Sequence, residues 1–368
     1  MDRILLLIKG LGRGGAEQLL VNAARYLDTS RFSYEVAYLL PWKDALVSEL
    51  EEANLPVHCL HGGRGPGWLS RLRRLVRDRQ IDLVHSHSPI AAVGARLALG
   101  RRPAVRRVYT EHNVWERYHR ATYWANLLTF PRSDHVFAVS EHVALSIRYP
   151  AALRFRRMPP VETRYHGIDP QAVSSWPSPD GIREELGIPE SAPVVGTVAN
   201  FKAHKGHRQL LRAAARVRRL VPEVRFVLVG AGPLEGEMKS LARELALDGT
   251  VIFTGHRQDV PQLVQTFDLF ALPSIHEGLS IALIEALAVG TPAVVTNVGG
   301  LPEVVEDGKQ GFVVPPGDED SLVESIVTML LDASLRERFG ESARERAAGF
   351  DIRHAIARIE EVYGELLS

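Results

Sequence analysis

Two glutamates with seven residues between them carry the strongest chemical pattern in the chain. Glu277 and Glu285 follow an apolar run, and Gly278, Leu279 and Ser280 stand where a helix is predicted to open. Free N–H groups at a helix start suit a diphosphate. Glu285 falls about two turns further on, where a carboxylate among apolar neighbours is costly unless it accepts hydrogen bonds. The hydroxyls of a ribose are suitable donors.

The same segment also has a purely structural interpretation. In that case Glu277 caps the helix, and Glu285 pairs with a buried backbone group or an arginine. The motif alone supports the two interpretations about equally.

Two further segments end strands of the same predicted sheet. Lys205 stands just before a helical pattern at 206–221, where a cation opposes the helix dipole unless a bound phosphate compensates it. A solvated surface lysine is the alternative. Gly255 and Arg257 follow the strand predicted at 251–254. Because strand ends of a parallel sheet meet at one edge, the three segments outline a pocket for a nucleoside diphosphate.

A glycine-rich turn at residues 10–15 fits G-x-G-x-x-G between a strand and a helix. Dinucleotide binding requires an acidic residue at the end of the second strand, but Glu35 lies at its start. We therefore favour a loop facing an interdomain cleft over a dinucleotide site or a turn without ligand.

His85 and His87 end another strand. Without a carboxylate cluster they are weak evidence for zinc, and ordinary strand-end histidines or acceptor contacts are favoured.

These segments need a scaffold of alternating strands and helices. Strands are predicted at 4–8, 34–40, 57–60, 83–86, 105–110, 136–140 and 164–166, and then at 194–198, 225–229, 251–254, 269–272, 293–296 and 311–314. A Pro/Ser-rich stretch at 169–179 separates the two series. The pattern predicts an α/β protein with two tandem doubly wound domains and a cleft between them.

Composition fits an ordinary globular chain of two domains, with 368 residues, 45% hydrophobic and 24% charged. The single cysteine, Cys59, excludes an internal disulfide and is expected to be a small buried residue. The apolar run at 4–8 is too short for a signal peptide or a membrane span, so we expect a cytoplasmic protein.

The charges are unevenly distributed. Residues 1–170 hold 25 Lys and Arg against 16 Asp and Glu, whereas the remainder holds 19 against 28. Arginines on a predicted helix at 69–79 and aromatic residues after residue 112 suggest that the first domain contacts an anionic membrane surface. Solvated helix faces and core aromatics are the slightly favoured alternative. Nucleic-acid binding is disfavoured, because no recognition motif accompanies the arginines.

Taken together, these motifs resemble the retaining GT-B glycosyltransferases of family 4, over nearly the whole chain. Glu277 and Glu285 match the family's E-x7-E motif, and Lys205-Gly206 matches its phosphate motif. The N-terminal Gly-Gly-Ala-Glu loop at 14–17 and the hinge segment at 165–169 match as well. The resemblance implies an acceptor domain at 1–168, a donor domain at 169–350 and a C-terminal helix at 351–368 that returns to the first domain.

The resemblance also implies a role for each matching residue. Lys205 would bind the donor diphosphate, Glu285 the ribose, and Glu277 the transferred sugar. His112 would be the active-site histidine, near the acceptor or a sugar hydroxyl. The remaining donor-binding residues would be Gly15, Gly255, Arg257, Gly278, Leu279 and Ser280. One departure is Asn200, which stands where the family has arginine; Lys202 is the candidate replacement for that cation.

The activity implied is transfer of a sugar, with retention of configuration, from a nucleotide-sugar to an acceptor that the sequence does not identify. We favour UDP over GDP as the nucleotide, and we expect no metal and no cofactor. Candidate acceptors are lipid-linked molecules and glycans, reached by a cytoplasmic enzyme that is peripheral at the inner membrane surface. The alternatives are a non-catalytic nucleotide-sugar-binding protein and a sugar-nucleotide epimerase of the same fold.

Overall fold

The computed structural model describes residues 1–12, 14–61, 65, 67–100, 105–150, 158–173 and 175–368. The chain forms two compact units, one made of Met1–His166 with Ile352–Ser368 and the other of Gly167–Asp351. Within the described residues, each unit contains one parallel β-sheet with helices between its strands. This confirms the predicted α/β class with two Rossmann-like domains.

The first unit has a seven-stranded sheet within its described residues. The strands are β1 (Asp2–Ile8), β2 (Phe32–Tyr38), β3 (Val57–Cys59), β4 (Leu83–Ser86), β5 (Arg106–Glu111), β6 (His135–Ala138) and β7 (Val161–Thr163). The helices are α1 (Gly15–Ala24), α2 (Val47–Glu52), α3 (Trp68–Asp78), α4 (Pro89–Leu99), α5 (Arg120–Thr129) and α6 (Glu141–Ser146). The strand order is β3-β2-β1-β4-β5-β6-β7. Central β1 is buried from residue 4 to residue 8, as expected of a parallel strand covered on both faces.

Two predictions for this unit were wrong, both at a sheet edge. The seventh strand lies at Val161–Thr163, three residues before the predicted 164–166. Among the described strands it pairs with β6 alone, and Val161 is 40% exposed, so no apolar run marks it. Cys59 is exposed rather than buried, because it ends β3 at the opposite edge of the sheet.

The second unit has a six-stranded sheet within its described residues. The strands are β8 (Val194–Val198), β9 (Arg225–Val229), β10 (Val251–Gly255), β11 (Leu269–Leu272), β12 (Ala293–Thr296) and β13 (Gly311–Val314). The helices are α7 (Pro170–Val173), α8 (Ile182–Glu185), α9 (His207–Leu220), α10 (Glu235–Glu244), α11 (Val260–Val264), α12 (Ile281–Ala288), α13 (Leu301–Val304), α14 (Glu319–Leu331) and α15 (Ala333–Ala348). The order β10-β9-β8-β11-β12-β13 puts β8 at the centre, next to β11. The carboxyl ends of β8, β10 and β11 therefore share one edge, as predicted.

The last helix, α16 (Ile352–Leu367), belongs to the first unit. Val362 and Tyr363 join the apolar cluster formed by β1 and β2. The rings of Tyr363 and Phe32 meet edge to face, with centroids 5.9 Å apart. The C-terminal residues thus complete the core of the first unit, as the family resemblance implied.

Candidate functional site

A glycine contact brings two loops of the second unit together. Gly206 precedes α9 with φ +73°, and a Cβ atom there would lie 1.8 Å from the carbonyl oxygen of Pro273, just after β11. The N–H of Ile275 also donates to the carbonyl of His204 at 2.8 Å. Only glycine permits this approach, so the β8–α9 loop is fixed against the β11–α12 loop.

This contact places Lys205 beside Glu277. The Lys205 Nζ lies 2.6 Å from the Glu277 Oε2, and the Ser274 hydroxyl donates to the same oxygen at 3.2 Å. The side chains of Lys205 and Glu277 are only 18% and 9% exposed. A phosphate placed here would therefore meet a cation that is already oriented and partly desolvated.

The start of α12 has no carboxylate cap. The Ser280 hydroxyl caps the helix by accepting from the Leu283 N–H at 3.3 Å. The alternative interpretation, in which Glu277 caps the helix, is therefore wrong. Within the described part of the chain, the N–H groups of residues 278–280 donate to no backbone carbonyl. They are free to donate to an anion.

Glu285 lies in the second turn of α12 between the buried residues Ile284 and Ala286. Burial raises the pKa of its carboxyl to about 7. No side chain or backbone group among the described residues donates a hydrogen bond to it. The structural interpretation, with an arginine or backbone partner for Glu285, is therefore not observed, and the carboxylate remains available to a ligand.

Arg257 is held by two carboxylates rather than left free. Its guanidinium bonds Asp259 at 2.6 and 2.7 Å and Glu185 at 2.5 and 3.1 Å, and these carboxylates raise its pKa. Gly255 ends β10 with φ +68°, and a Cβ there would have no neighbour within 4 Å. Space is therefore open at Gly255, whereas the Arg257 side chain is held by its ion pairs with Asp259 and Glu185.

Asn200 and Lys202 lie in the β8–α9 loop, where the Lys202 N–H donates to the Asn200 carbonyl at 2.7 Å. Asn200 is half-buried and Lys202 is exposed. Asn200 leaves its own position without a charge, and Lys202, two residues later, can bring a cation there. The exposed side chain of Lys202 is less fixed than that of Lys205.

The glycine-rich turn of the first unit ends at α1. Gly15 is the first residue of that helix, and a Cβ on it would meet nothing within 4 Å. The preceding Gly14 gives no side-chain cap. Space is therefore open at Gly15, whereas a Cβ on Gly14 would lie 2.3 Å from a carboxylate oxygen of Glu17. Arg13 lies outside the described residues.

Four histidines form a column at the carboxyl edge of the first sheet. The ring centroids are 4.2 Å apart between His85 and His87, 5.8 Å between His87 and His112, and 5.3 Å between His112 and His166. Burial lowers the pKa of all four imidazoles, that of His166 to about 4. His112 is therefore a neutral imidazole at neutral pH, suited to hydrogen bonding with a hydroxyl.

Sequence reasoning missed a buried carboxylate beside this column. Glu111 is fully buried next to His112 and accepts hydrogen bonds from the Tyr109 hydroxyl at 2.7 Å and the Trp115 indole at 2.9 Å. The Tyr118 hydroxyl and the Asn113 N–H donate to the other carboxylate oxygen. The signal in the sequence is a carboxylate beside His112 with aromatic donors two, four and seven residues away.

Within the described residues, no group of three His, Cys, Asp or Glu is arranged to hold a metal ion.

Two family models match consecutive parts of the chain. The model described as glycosyltransferase family 4 matches residues 13–172, and the model described as glycosyl transferases group 1 matches residues 180–346. Together with the two parallel sheets, these matches place the chain in the group 1, family 4 glycosyltransferases of the GT-B fold. It is a glycosyltransferase.

Individual relatives agree with this assignment. A Bacillus subtilis (strain 168) protein named as glycosyltransferase EpsD is 27% identical over 309 residues, 80% of this chain and 79% of the relative. The D-inositol 3-phosphate glycosyltransferase of Corynebacterium jeikeium (strain K411) is 34% identical over 193 residues, 50% of this chain and 46% of the relative. The crystal structure of Anabaena Alr3699/HepE in complex with UDP-glucose has a TM-score of 0.85 at 25% identity, covering 99% of this chain and 100% of that one.

Proposed function

We propose that the protein transfers a hexosyl group from a UDP-sugar to a hydroxyl-bearing acceptor, with retention of configuration and without a metal ion. The observation that carries the proposal is the Lys205–Glu277 pair beside the open start of α12. UDP is favoured because Anabaena Alr3699/HepE, of the same fold over the whole chain, was solved with UDP-glucose.

The donor would be held by the second unit. Lys205 and the N–H groups of residues 278–280 would bind the diphosphate, with Lys202 as a further cation. The Glu285 carboxylate would accept hydrogen bonds from the ribose, and the base would lie near Gly255. When the diphosphate takes Lys205, Glu277 loses its cation but keeps the Ser274 hydroxyl, and its carboxylate becomes available to the hydroxyls of the sugar.

In the reaction, the acceptor oxygen would attack the anomeric carbon on the face that the phosphate leaves. The bond between that carbon and the phosphate oxygen breaks, and the proton of the acceptor hydroxyl goes to the departing diphosphate. Lys205 and the α12 amides stabilise the charge that develops on this diphosphate. These fixed groups would replace the divalent ion that other diphosphate chemistry uses. His112, neutral and beside His166, would bind a hydroxyl of the sugar or acceptor.

The proposal is tested by turnover of UDP-glucose with candidate acceptors, with the product's anomeric configuration followed by proton NMR. An α-linked product from the α-linked donor supports a retaining transferase. A β-linked product contradicts retention, and UDP-glucose binding without any product would indicate a non-catalytic binding protein.

We also propose that the first unit contacts an anionic membrane surface. Trp124 and Leu128 lie one turn apart on α5 and are 52% and 51% exposed. Exposed arginines accompany them on the same unit: Arg71, Arg73, Arg74, Arg77, Arg117 and Arg120. Exposed aromatic and aliphatic side chains on a unit that also carries exposed arginines suit a surface of anionic headgroups. Within the described residues, no helix is long and apolar enough to span a bilayer.

A further inference from the structure

A largely apolar cavity of about 50 Å³ lies in the first unit between α1, α16 and the sheet. Leu19, Leu20 and Ala23 of α1 and Ala355 and Ile359 of α16 form its walls. Their spacing along each helix puts them on one helix face, so two apolar faces meet without closing completely. Packed interiors seldom leave such space, because each void forfeits dispersion contacts.

Most polar groups in the cavity wall already have partners. Glu360 accepts a hydrogen bond from the Tyr34 hydroxyl at 2.6 Å. The His85 ring pairs with the Tyr363 hydroxyl through Nδ1 and with the Thr110 hydroxyl through Nε2, the latter at 2.7 Å. These groups therefore need no further hydrogen bond from a bound molecule.

Two imidazole nitrogens in the wall are different. The Nε2 atoms of His87 and His166 are buried and have no hydrogen-bond partner among the described residues. A buried polar atom without a partner is costly, and a ligand that supplies one recovers that cost. Burial keeps the pKa of both rings low, so both are neutral near pH 7. Neutral imidazoles match a hydroxyl, which can donate and accept, better than a charged group.

We propose that this cavity binds an aliphatic alcohol group of the acceptor, with its hydroxyl at His87 and His166 and its carbon chain against Ala355 and Ile359. The inference rests on the proposed transferase function and specifies the acceptor class. Because a cavity of about 150 Å³ holds a benzene ring, 50 Å³ accommodates roughly two or three carbon atoms. A compact alkyl segment next to the reacting hydroxyl therefore fits, whereas a polyol would place hydroxyls against an apolar wall.

The test titrates the full chain with 1-propanol, with glycerol and xenon as control ligands, and follows the imidazole ¹⁵N signals. Saturable shifts of the His87 and His166 Nε2 signals are expected for 1-propanol and not for glycerol. Ala355→Val, which fills the cavity, should weaken 1-propanol binding at least tenfold. Ala357→Val places the same substitution on an exposed position of the same helix and should behave as wild type. Ala23→Val is the second filling variant if Ala355→Val does not fold.

In the presence of UDP-glucose, 1-propanol should give propyl glucoside with wild type and Ala357→Val, and at least tenfold less with the filling variant. Shifts with xenon but not with 1-propanol would overturn the proposal, since the cavity would then be a simple void. No response to either ligand, or binding of 1-propanol without propyl glucoside, would overturn it as well. UDP-glucose binding to wild type is measured separately, so a failure of the donor assignment is distinguished from a failure of the cavity assignment.

Discussion

The ammonium group of Lys205 lies 2.6 Å from a carboxylate oxygen of Glu277, although 72 residues separate them in the chain. The contact depends on the close approach of Gly206 to the loop after β11. It holds a cation beside the open start of α12, so the diphosphate of the proposed donor would find its binding groups already in place. In the free protein, Glu277 keeps that cation in position.

Replacing Lys205 with methionine should cost donor binding and turnover together. If the lysine stabilises the departing diphosphate, kcat/KM should fall about 100- to 1000-fold, the usual effect of removing one such group. Steady-state kinetics and calorimetric titration with UDP provide the measurement. Lys202→Met, at an exposed position of the same loop, is the matched control. Its kcat/KM and its affinity for UDP should fall much less than those of Lys205→Met. Unchanged kinetics in Lys205→Met would refute the phosphate role.

Donor affinity should depend on the protonation of Glu285. Its pKa is about 7, and in the proposed site the ionised carboxylate would accept the ribose hydrogen bonds, so the Kd for UDP should rise as pH falls from 8 to 6. Glu285→Gln should bind UDP more weakly and lose this pH dependence. Titrations of wild type and variant at three pH values test this. A wild-type Kd that is flat across the range would contradict the ribose assignment.

Glu285 should also affect folding stability, with a defined sign. Its folded-state pKa is raised above the ordinary 4.5, so the folded protein binds this proton more tightly than the unfolded chain does. The stabilising contribution of Glu285 to the unfolding free energy is therefore fully present below pH 4.5 and is lost as pH rises through 7. Urea denaturation should show a smaller decline in unfolding free energy between pH 5 and 8 for Glu285→Gln than for wild type. Equal slopes would show that Glu285 titrates normally.

Gly206→Ala should disrupt the site more than an ordinary glycine substitution. A Cβ atom at Gly206 would lie 1.8 Å from a backbone oxygen, and φ there is +73°. Gly187 has φ +64° but open space around it, so Gly187→Ala isolates the backbone strain, about 1 kcal/mol. In chemical denaturation, we expect the loss of unfolding free energy to be several kcal/mol larger for Gly206→Ala than for Gly187→Ala. We also expect Gly206→Ala to lose UDP binding. Equal costs for the two variants would show that the loops do not depend on this contact.

Anionic vesicles should bind the protein better than neutral ones. Trp124→Ala with Leu128→Ser should weaken sedimentation with anionic vesicles severalfold, because it removes the exposed apolar side chains of α5. Trp42→Ala, at another exposed tryptophan, is the control and should bind as wild type. Equal binding to neutral and anionic vesicles would remove the electrostatic basis of the membrane proposal.

The sequence predicted the central strands well because they are buried on both faces. The strand at 269–272 matches the structure residue for residue, since a continuous apolar run marks it. The edge strand at Val161–Thr163 was misplaced because it pairs on one side and keeps an exposed valine. A run of hydrophobic residues therefore locates a strand only where other elements of the fold cover that strand.

Contacts within the site were harder to predict. E-x7-E and Lys-Gly mark positions along the chain, but the pairing of Lys205 with Glu277 depends on loops that meet only in three dimensions. The same holds for Arg257, which the family resemblance placed by the base and which Glu185 and Asp259 hold in the structure. Glu111 escaped notice because the sequence shows aromatic residues near this carboxylate but not that their polar atoms bond it.

The measurement that tests the central claim most directly is a thermal-shift comparison of UDP, UDP-glucose, GDP, ADP and NAD(P), with and without EDTA. A ligand that binds only the folded state raises the melting temperature in proportion to RT ln(1 + [L]/Kd). UDP and UDP-glucose are expected to raise it equally well in EDTA, while NAD(P) has no effect. A shift with NAD(P) alone would contradict the account and make the glycine-rich turn a dinucleotide site. A UDP shift that EDTA abolishes and a divalent ion restores would contradict the metal-free mechanism.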